Sequence, residues 1–419
     1  MSVRSTVIRV AVLCAIAVPG VVAGRRALHD GRAGAMSRRD PVVPAAAGSG
    51  MYSLAAASDG VVYLSWIEPA GEKTHALRFS TLERGEWTPA RTIAAGESWF
   101  VNWADHPSLV PLEDGSLVAH WLVDNDGREG TYGYGLRIAR SNDRGATWRE
   151  IFKTGTSNVR GYSGFVAMLP LARGFMAAYL GPPAAEAGGG SDADHVMGLG
   201  IATFDANGAV TSNTVVDANT CTCCPTAVAR TSQGPIVAYR DHTGETRDIS
   251  IVRQRDGKWT APSAIHPDRW RINACPTNGP TLAAHGDRVA AAWFTGADDM
   301  PRVHVAFSND GGELFEEPVA IDDGHPVGWT GVVLADDGSA VVSWLEAIGE
   351  GRGEVRVRRV WPNGRLGDRV VVATSSAGRS TGVPQLVRLG DSLVVAWRTD
   401  RVMTAIVPIP GPGAASSAR

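Results

Sequence analysis

Short apolar runs recur along this chain, and each follows a polar turn and ends in an aromatic residue. Seven such runs, spaced 51 to 60 residues apart, end at Trp66, Trp121, Tyr179, Tyr239, Trp293, Trp344 and Trp397. A second apolar strand precedes each run, and an alternating third strand such as YGLRIARS or RVHVAFS follows it, with a fourth strand after that. Four short antiparallel strands repeated at this period predict the blades of a β-propeller. We therefore predict an all-β fold, a seven-bladed β-propeller of four-stranded antiparallel blades.

The seventh repeat lacks a fourth strand, because its third strand, VMTAIVPIP, is followed only by GPGAASSAR. The apolar stretch DPVVPAAAG at residues 40–48 has the character of the missing strand. We expect this N-terminal strand to close the last blade, since a closed ring leaves no long sheet edge open. The propeller then spans residues 40–410, with a flexible tail at 411–419. A six-bladed propeller with one pair of strands misassigned is the alternative.

The start of the chain is typical of a secretory signal. A short basic region, an apolar run and small residues suited to cleavage follow one another within residues 1–23. An uncleaved membrane anchor is the alternative, but Pro19 and Gly20 interrupt a run that is already short. No later run is long and apolar enough to span a bilayer. We expect a signal peptide at 1–23, a linker at 24–39, and export to the periplasm or the extracellular space.

The charge balance disfavours one class of partner. The 419 residues carry a net charge of −3, so there is no basic field to attract nucleic acid. The chain is also rich in glycine, with 49 residues, and in tryptophan, with 13. This composition suits short strands joined by tight turns.

Turns between the third and fourth strands carry a motif. The stretch SNDRGATW matches every position of S-x-D-x-G-x-T-W, at Ser141, Asp143, Gly145, Thr147 and Trp148. The stretch SNDGGELF keeps Ser308, Asp310 and Gly312, and degenerate forms lie at residues 83–87 and 256–259. The motif is similar to the Asp-box of bacterial neuraminidase repeats, and the chain resembles the sialidase superfamily over nearly all of residues 40–410. In that family the Asp-box is a structural turn on the face opposite the active site.

The resemblance implies a substrate site at the centre of one face, where the chain enters each first strand and leaves each second strand. A sialidase holds its substrate carboxylate with three arginines and uses a Tyr nucleophile, a Glu partner and an acidic acid/base. From their places in the repeat we assign Arg240, Arg379 and Arg398 to the carboxylate clamp. The acid/base is Asp105 or Asp241, and the nucleophile pair is Tyr162 with Glu346. We assign His106 and His242 to further substrate binding. The Arg-Ile-Pro motif of the family is absent, so these roles rest on position in the repeat alone.

Four cysteines lie in the predicted propeller, and three of them are within four positions. Cys221, Cys223 and Cys224 enter the first strand of the fourth repeat, and Cys275 enters that of the fifth. Adjacent first strands are neighbours around a propeller channel, so we expect the run to reach Cys275. At least one disulfide between them is the expected outcome in an oxidising compartment. A thiolate site for Cu(I) or Zn is the alternative.

Three functions stay open. The first is an exported glycoside hydrolase, exo-α-sialidase-like, that acts on sialic acid or another acidic sugar at an Arg-lined central face. The second is a non-catalytic propeller that binds a glycan or a protein beside a disulfide-braced channel. The third is a metal-binding or redox propeller that uses the cysteines. The expected partner is a glycan or another small acidic ligand, and only the third function calls for a cofactor, Cu or Zn.

Overall fold

The computed structural model describes residues 37–124, 134–154, 164–182 and 197–411. Within these residues the strands form seven antiparallel sheets, which make a seven-bladed β-propeller and exclude the six-bladed alternative. The described part of the chain contains no α-helix, only two 3₁₀ turns at Ala297–Asp299 and Arg379–Thr381. It therefore includes no helix long and apolar enough to cross a membrane. The predicted signal peptide and most of the linker and tail lie outside the described residues.

The first four blades follow the predicted order of strands, with the fourth position split into two short strands in blades 1 and 4. Blade 1 contains β1 (Gly50–Ala56), β2 (Val62–Pro69), β3 (His75–Glu83), β4 (Glu86–Trp87) and β5 (Arg91–Gly96). Blade 2 contains β6 (Ser108–Pro111), β7 (Leu117–Asp124), β8 (Tyr134–Ser141) and β9 (Arg149–Lys153). Blade 3 contains β10 (Gly164–Pro170), β11 (Phe175–Gly181), β12 (Met197–Phe204) and β13 (Val210–Thr220). Blade 4 contains β14 (Ala227–Thr231), β15 (Gly234–Arg240), β16 (Ile249–Arg255), β17 (Lys258–Trp259) and β18 (Ser263–Ala264).

The last three blades repeat the same order. Blade 5 contains β19 (Thr281–His285), β20 (Arg288–Thr295), β21 (Arg302–Ser308) and β22 (Val319–Ala320). Blade 6 contains β23 (Pro326–Leu334), β24 (Ala340–Ala347), β25 (Arg352–Val360) and β26 (Leu366–Ser376). Blade 7 contains β27 (Gln385–Leu389), β28 (Ser392–Arg398) and β29 (Val402–Pro408).

The first strands of the blades surround a central channel. Each contacts the first strand of the next blade, in the order β1, β6, β10, β14, β19, β23 and β27, and β27 contacts β1 again. This last contact closes the ring. A cavity of about 320 Å³ runs between these strands, and residues of all seven line it.

The N-terminal segment pairs with the edge of blade 7 that the sequence predicts it to close, but through a single bridge at Arg39, and residues 40–48 form no strand. Arg39 forms a two-hydrogen-bond antiparallel bridge with Ile406 on β29, with N···O distances of 2.9 and 2.7 Å. Val43 and Ala45 are both buried, in the apolar core that blades 7 and 1 share. The first and last parts of the chain are therefore joined by backbone pairing and by apolar packing.

The aromatic residues that define the repeat form the core between blades. The side chains of Trp66, Tyr239, Trp293 and Trp344 are fully buried. Burying one large apolar side chain stabilises a fold by about 1.5–3 kcal/mol, so these positions are a major part of the stability. The spacing by which the sequence predicts the blades is thus the spacing of their core.

The Asp-boxes are tight turns held by their own side chains. In the complete box, Ser141 accepts a hydrogen bond from the Gly145 amide at 2.7 Å, and Asp143 accepts one from the Thr147 amide at 2.8 Å. Gly145 has a φ of 84°, a left-handed conformation that favours glycine. In the second box Ser308 and Gly312 repeat the first of these bonds at 3.0 Å. Both motifs satisfy backbone donors within a turn, which is a structural role.

Candidate functional site

A pocket of about 490 Å³ opens where the chain enters the first strands of blades 2 to 5. We call it the mouth pocket. Its aromatic lining consists of Phe100, Trp103, Tyr134 and Phe165. Its ionisable lining among the described residues consists of Cys221, Cys223, Cys275, His242, Arg247 and Arg379. No carboxylate belongs to this part of the lining.

The cysteine run lies at one wall of the mouth pocket. It follows the end of β13 at Thr220, and the Cys221 amide donates a hydrogen bond to the Arg240 carbonyl oxygen at 3.0 Å. The Sγ atom of Cys221 lies 3.8 Å from that of Cys223 and 3.6 Å from that of Cys224. We call these three residues the thiol cluster. Its three sulfur atoms lie within 4.8 Å of one another.

The fifth blade brings its own cysteine to the cluster. Cys223 and Cys275 both line the mouth pocket, and their thiols interact there. The backbone after Cys275 packs closely on the backbone after Cys224: a Cβ added to Gly279 would lie 2.1 Å from the carbonyl oxygen of Pro225. All four cysteines are free thiols in this structure, so the expected disulfide is not formed in it.

Among the thiols of the cluster, Cys221 is the one that ionises most readily. Hydrogen bonds from Cys223 and Cys224 lower the pKa of Cys221 to about 3. The same contact raises the pKa of Cys223, and burial raises that of Cys224. The hydrogen bond from Cys223 also lowers the pKa of Cys275, to about 7. A thiolate is the form of cysteine that binds metals and attacks electrophiles.

The structure does not bring the three predicted clamp arginines together. Arg240 is almost fully buried, and its guanidinium donates to three backbone carbonyl oxygens, those of Asn278, Arg247 and Phe294. Arg398 donates from Nε to the carbonyl oxygen of Ser49 at 2.8 Å, between blades 7 and 1. The guanidinium of Arg240 is engaged with the backbone at all three nitrogen atoms, and that of Arg398 at Nε. Strand ends of neighbouring blades leave carbonyl groups that need such donors.

Arg379 is the clamp candidate that lines the mouth pocket. Its guanidinium carbon lies 5.6 Å from the centre of the Trp103 ring, within the range of a cation–π contact. A second cation, Arg247, lines the same pocket and was not predicted as a site residue. It lies in the loop between β15 and β16, and a search of every loop that follows a second strand would have included it.

Asp105 is a buried link between blades 2 and 3. Its carboxylate accepts hydrogen bonds from the Phe165 amide at 2.7 Å and from the Tyr134 hydroxyl at 3.3 Å. A Cβ added to Gly164 would lie 2.0 Å from Oδ2, so a glycine is required for this close approach. Burial raises the pKa of Asp105 to about 7. The group has the pKa of a general acid, but it lies behind Tyr134 and Phe165 and does not line the mouth pocket.

Glu346 is also engaged in the framework. Its carboxylate accepts hydrogen bonds from Trp344 Nε1 at 2.6 Å and from the His325 amide at 2.8 Å. Blade 1 has the same arrangement, in which Glu68 accepts from Trp66 Nε1 at 2.8 Å. The repeated Trp-x-Glu sequence is the signal that could have assigned this role. Tyr162, its predicted partner, lies outside the described residues.

The remaining predicted polar residues separate into two groups. His242 lines the mouth pocket, and burial lowers its pKa. Asp241 does not line it: its carboxylate accepts from the His242 amide at 2.7 Å and the Thr243 hydroxyl at 3.0 Å, and burial raises its pKa. His106 lines the central channel instead, where burial lowers its pKa to about 4. The mouth pocket thus contains His242 and Arg379 from the predicted substrate-binding set, together with three of the four cysteines.

No family model matches the sequence, and no curated protein sequence matches it. Solved structures do resemble its fold. A protein of unknown function from Dyadobacter fermentans has a TM-score of 0.52 and 16% identity, over 89% of this chain and 99% of that one. A Fusarium graminearum GH93 α-L-arabinofuranosidase has a TM-score of 0.47 and 14% identity, over 89% of this chain and 98% of that one. A Hadza microbial sialidase has a TM-score of 0.47 and 12% identity, over 83% of this chain and 76% of that one. At an identity of 16% the likeness to the Dyadobacter protein is one of fold alone.

Proposed function

We propose that this protein is a sugar-binding propeller that takes a small acidic sugar in the mouth pocket. The observation that carries the proposal is the position of Arg379 beside Trp103 in a pocket whose described lining has two arginines and no carboxylate. A guanidinium can hold a carboxylate or a sulfate through two parallel hydrogen bonds. The protein as a whole carries a net charge of −3, so the presence of two arginines in one pocket is a local feature.

The aromatic walls supply the apolar half of such a site. The Trp103 ring lies 5.1 Å from that of Trp329, and the Phe100 and Tyr134 rings stack at 3.8 Å. Rings held against one another present fixed flat surfaces, and the C–H face of a sugar can pack on them. The amides of Asn102 and Asn273 and the hydroxyl of Thr277 also line the pocket and can reach sugar hydroxyl groups.

The predicted catalytic and clamp residues already make hydrogen bonds within the protein, and this favours a binding function over hydrolysis. Arg240 and Arg398 donate to backbone carbonyl oxygens, and Glu346 accepts from Trp344 and His325. A retaining or inverting glycosidase needs two carboxyl groups, or a Tyr and a Glu, at the scissile bond. The described lining of the mouth pocket supplies Tyr134 and no carboxyl group.

The test is calorimetric titration of the protein with N-acetylneuraminic, glucuronic and galacturonic acids and with their neutral methyl esters. We expect at least one acid to bind, its ester to bind more weakly, and Arg379→Met to lower the affinity tenfold or more. Arg388→Met is the matched control, because Arg388, near the end of β27, pairs at 2.6 Å with Asp336 in the turn between β23 and β24 and does not line the mouth pocket. Equal binding of acid and ester, or an Arg379→Met variant with unchanged affinity, contradicts the proposal. Turnover of a fluorogenic sialoside that Arg379→Met abolishes would instead assign a hydrolase.

A further inference from the structure

The thiol cluster is a group of side chains that acidic-sugar binding does not use. We propose that Cys221, Cys223 and Cys224 bind one thiophilic metal ion, Cu(I) or Zn(II), in the wall of the mouth pocket. Soft thiolate ligands select these ions. The metal ligands are not used by the function proposed above, although both sites share the arginines of the pocket wall, and metal uptake is a separate readout.

The distances suit a common metal ion. A Zn–S bond of about 2.3 Å places the sulfur atoms of a tetrahedral site about 3.8 Å apart. The separations from Cys221 are 3.8 Å to Cys223 and 3.6 Å to Cys224. A disulfide would need about 2.05 Å, and a single disulfide within three thiols would leave one of them over. Two of the three sulfur–sulfur separations thus match the spacing around a shared ion, and the third is within 4.8 Å.

The surroundings compensate negative charge on sulfur. The guanidinium groups of Arg247 and Arg379 line the mouth pocket together with Cys221, Cys223 and Cys275. Three thiolates around a monovalent or divalent ion leave a net negative charge. Nearby guanidinium groups reduce the free-energy cost of burying it.

The loop that carries the ligands is held at both ends before any ion arrives. At its start the Thr220 hydroxyl donates to the Met197 carbonyl oxygen at 3.0 Å. At its end the Thr226 hydroxyl donates to the Phe165 carbonyl oxygen at 2.8 Å. Gly279 lets the neighbouring loop pack directly on Pro225. A fixed ligand loop lowers the conformational entropy lost on binding.

The site is accessible from the mouth pocket. Cys221 and Cys224 are buried, Cys223 is half-buried and lines the mouth pocket, and Cys275 is exposed beside it. An ion can therefore enter through the pocket. Cys275 and His242 lie on that open side, where a further ligand of the ion would be found.

The experiment is metal titration of the full mature chain under anaerobic, reducing conditions, with one arm for Cu(I) and one for Zn(II) and a chromophoric chelator as competitor. We expect one equivalent of at least one ion, with a thiolate-to-metal charge-transfer absorption and loss of the cluster thiols from a thiol count. Cys223→Ser and Cys221→Ser should each weaken binding of that ion at least tenfold. Thr222→Ser is the matched control within the same loop and should bind as the wild type does.

Circular dichroism of each variant separates loss of a ligand from loss of the fold. The chelator competition on the wild-type chain is a second, independent measurement, because it needs no variant. The proposal is overturned if the wild-type chain holds neither ion against the chelator, or if folded Cys221→Ser and Cys223→Ser variants bind it unchanged. It is also overturned if the thiols of freshly purified protein are joined in disulfides that reform in preference to metal uptake.

Discussion

Arg240 and Asn278 join two neighbouring blades: the guanidinium donates to the Asn278 carbonyl oxygen from Nε at 3.0 Å and from Nη2 at 2.8 Å. The same guanidinium lies 4.8 Å from the centre of the Trp270 ring. Asn278 continues the link, since its side-chain oxygen accepts from the Trp329 amide of blade 6 at 2.7 Å. Three blades are thus connected behind the mouth pocket by one buried cation and one amide.

We predict from this link that Arg240→Met destabilises the fold. The substitution removes the donors of three buried carbonyl groups, so the free energy of unfolding should fall by about 3–5 kcal/mol. Urea unfolding followed by tryptophan fluorescence measures it. Arg388→Met, which breaks a surface pair, should cost less than about 1 kcal/mol. A fully stable Arg240→Met variant that has lost acidic-sugar binding would return Arg240 to the ligand site.

Asp105 should make stability depend on pH. Burial raises its pKa in the folded protein to about 7, against an ordinary value of 3.8. Between these values the folded state holds a proton that the unfolded state has lost, so this contribution to stability is present below pH 4 and disappears as pH rises through 7. The shift in the pKa of Asp105 corresponds to a change in the free energy of unfolding on the order of 4 kcal/mol between low and high pH.

The measurement compares the wild type with Asp105→Asn, which keeps a neutral side chain at every pH. The free energy of unfolding of the wild type, relative to that of the variant, should decline from pH 4 to pH 8. Taking the difference cancels the opposite contribution of His106, whose pKa burial lowers to about 4. A constant difference over this range would show that Asp105 is ionised in the fold at low pH.

The serines of the two Asp-boxes should affect stability and leave ligand binding unchanged. Ser141→Ala and Ser308→Ala each leave a buried glycine amide without its acceptor, which costs about 1–2 kcal/mol. Tyr134 at the start of β8 lines the pocket and Ser141 is its last residue, so the box lies about 23 Å away along the strand. Thermal unfolding and sugar titration on the same samples check both parts. A tenfold change in sugar affinity would contradict the separation.

The N-terminal segment should be needed for a stable ring. A chain that starts at Gly48 loses the Arg39–Ile406 bridge and the buried Val43 and Ala45 side chains. We expect the free energy of unfolding to fall by about 3–5 kcal/mol and the open edge of β29 to promote self-association. A chain that starts at residue 37 is the control, and light scattering with urea unfolding gives both quantities. Equal stability of the two chains would show that the bridge is dispensable.

Much of the site's framework could be predicted from particular local patterns. A buried Trp or Tyr near the end of each second strand recurs at the blade period, and this recurrence predicted seven blades. The repeat also placed Cys275 beside Cys223, because adjacent first strands are neighbours in a closed ring. The repeated Trp-x-Glu sequence, at Trp66 and at Trp344, could also have predicted the structural role of Glu346, but the sequence-based assignment of Glu346 did not consider it.

The sequence by itself determined the repeat, the closure by the N-terminal segment and the meeting of the cysteines, because these follow from the period and from backbone pairing. Only the tertiary structure decided which polar side chains enter the mouth pocket. The sequence predicts both Arg240 and Arg379 as ligand-binding residues. In the structure Arg240 donates to carbonyl groups of the next blade, whereas Arg379 lies over Trp103. Which arginine enters the pocket depends on where neighbouring blades leave backbone carbonyl groups without a donor. The positions of those groups are decided by contacts between segments that are distant in the sequence.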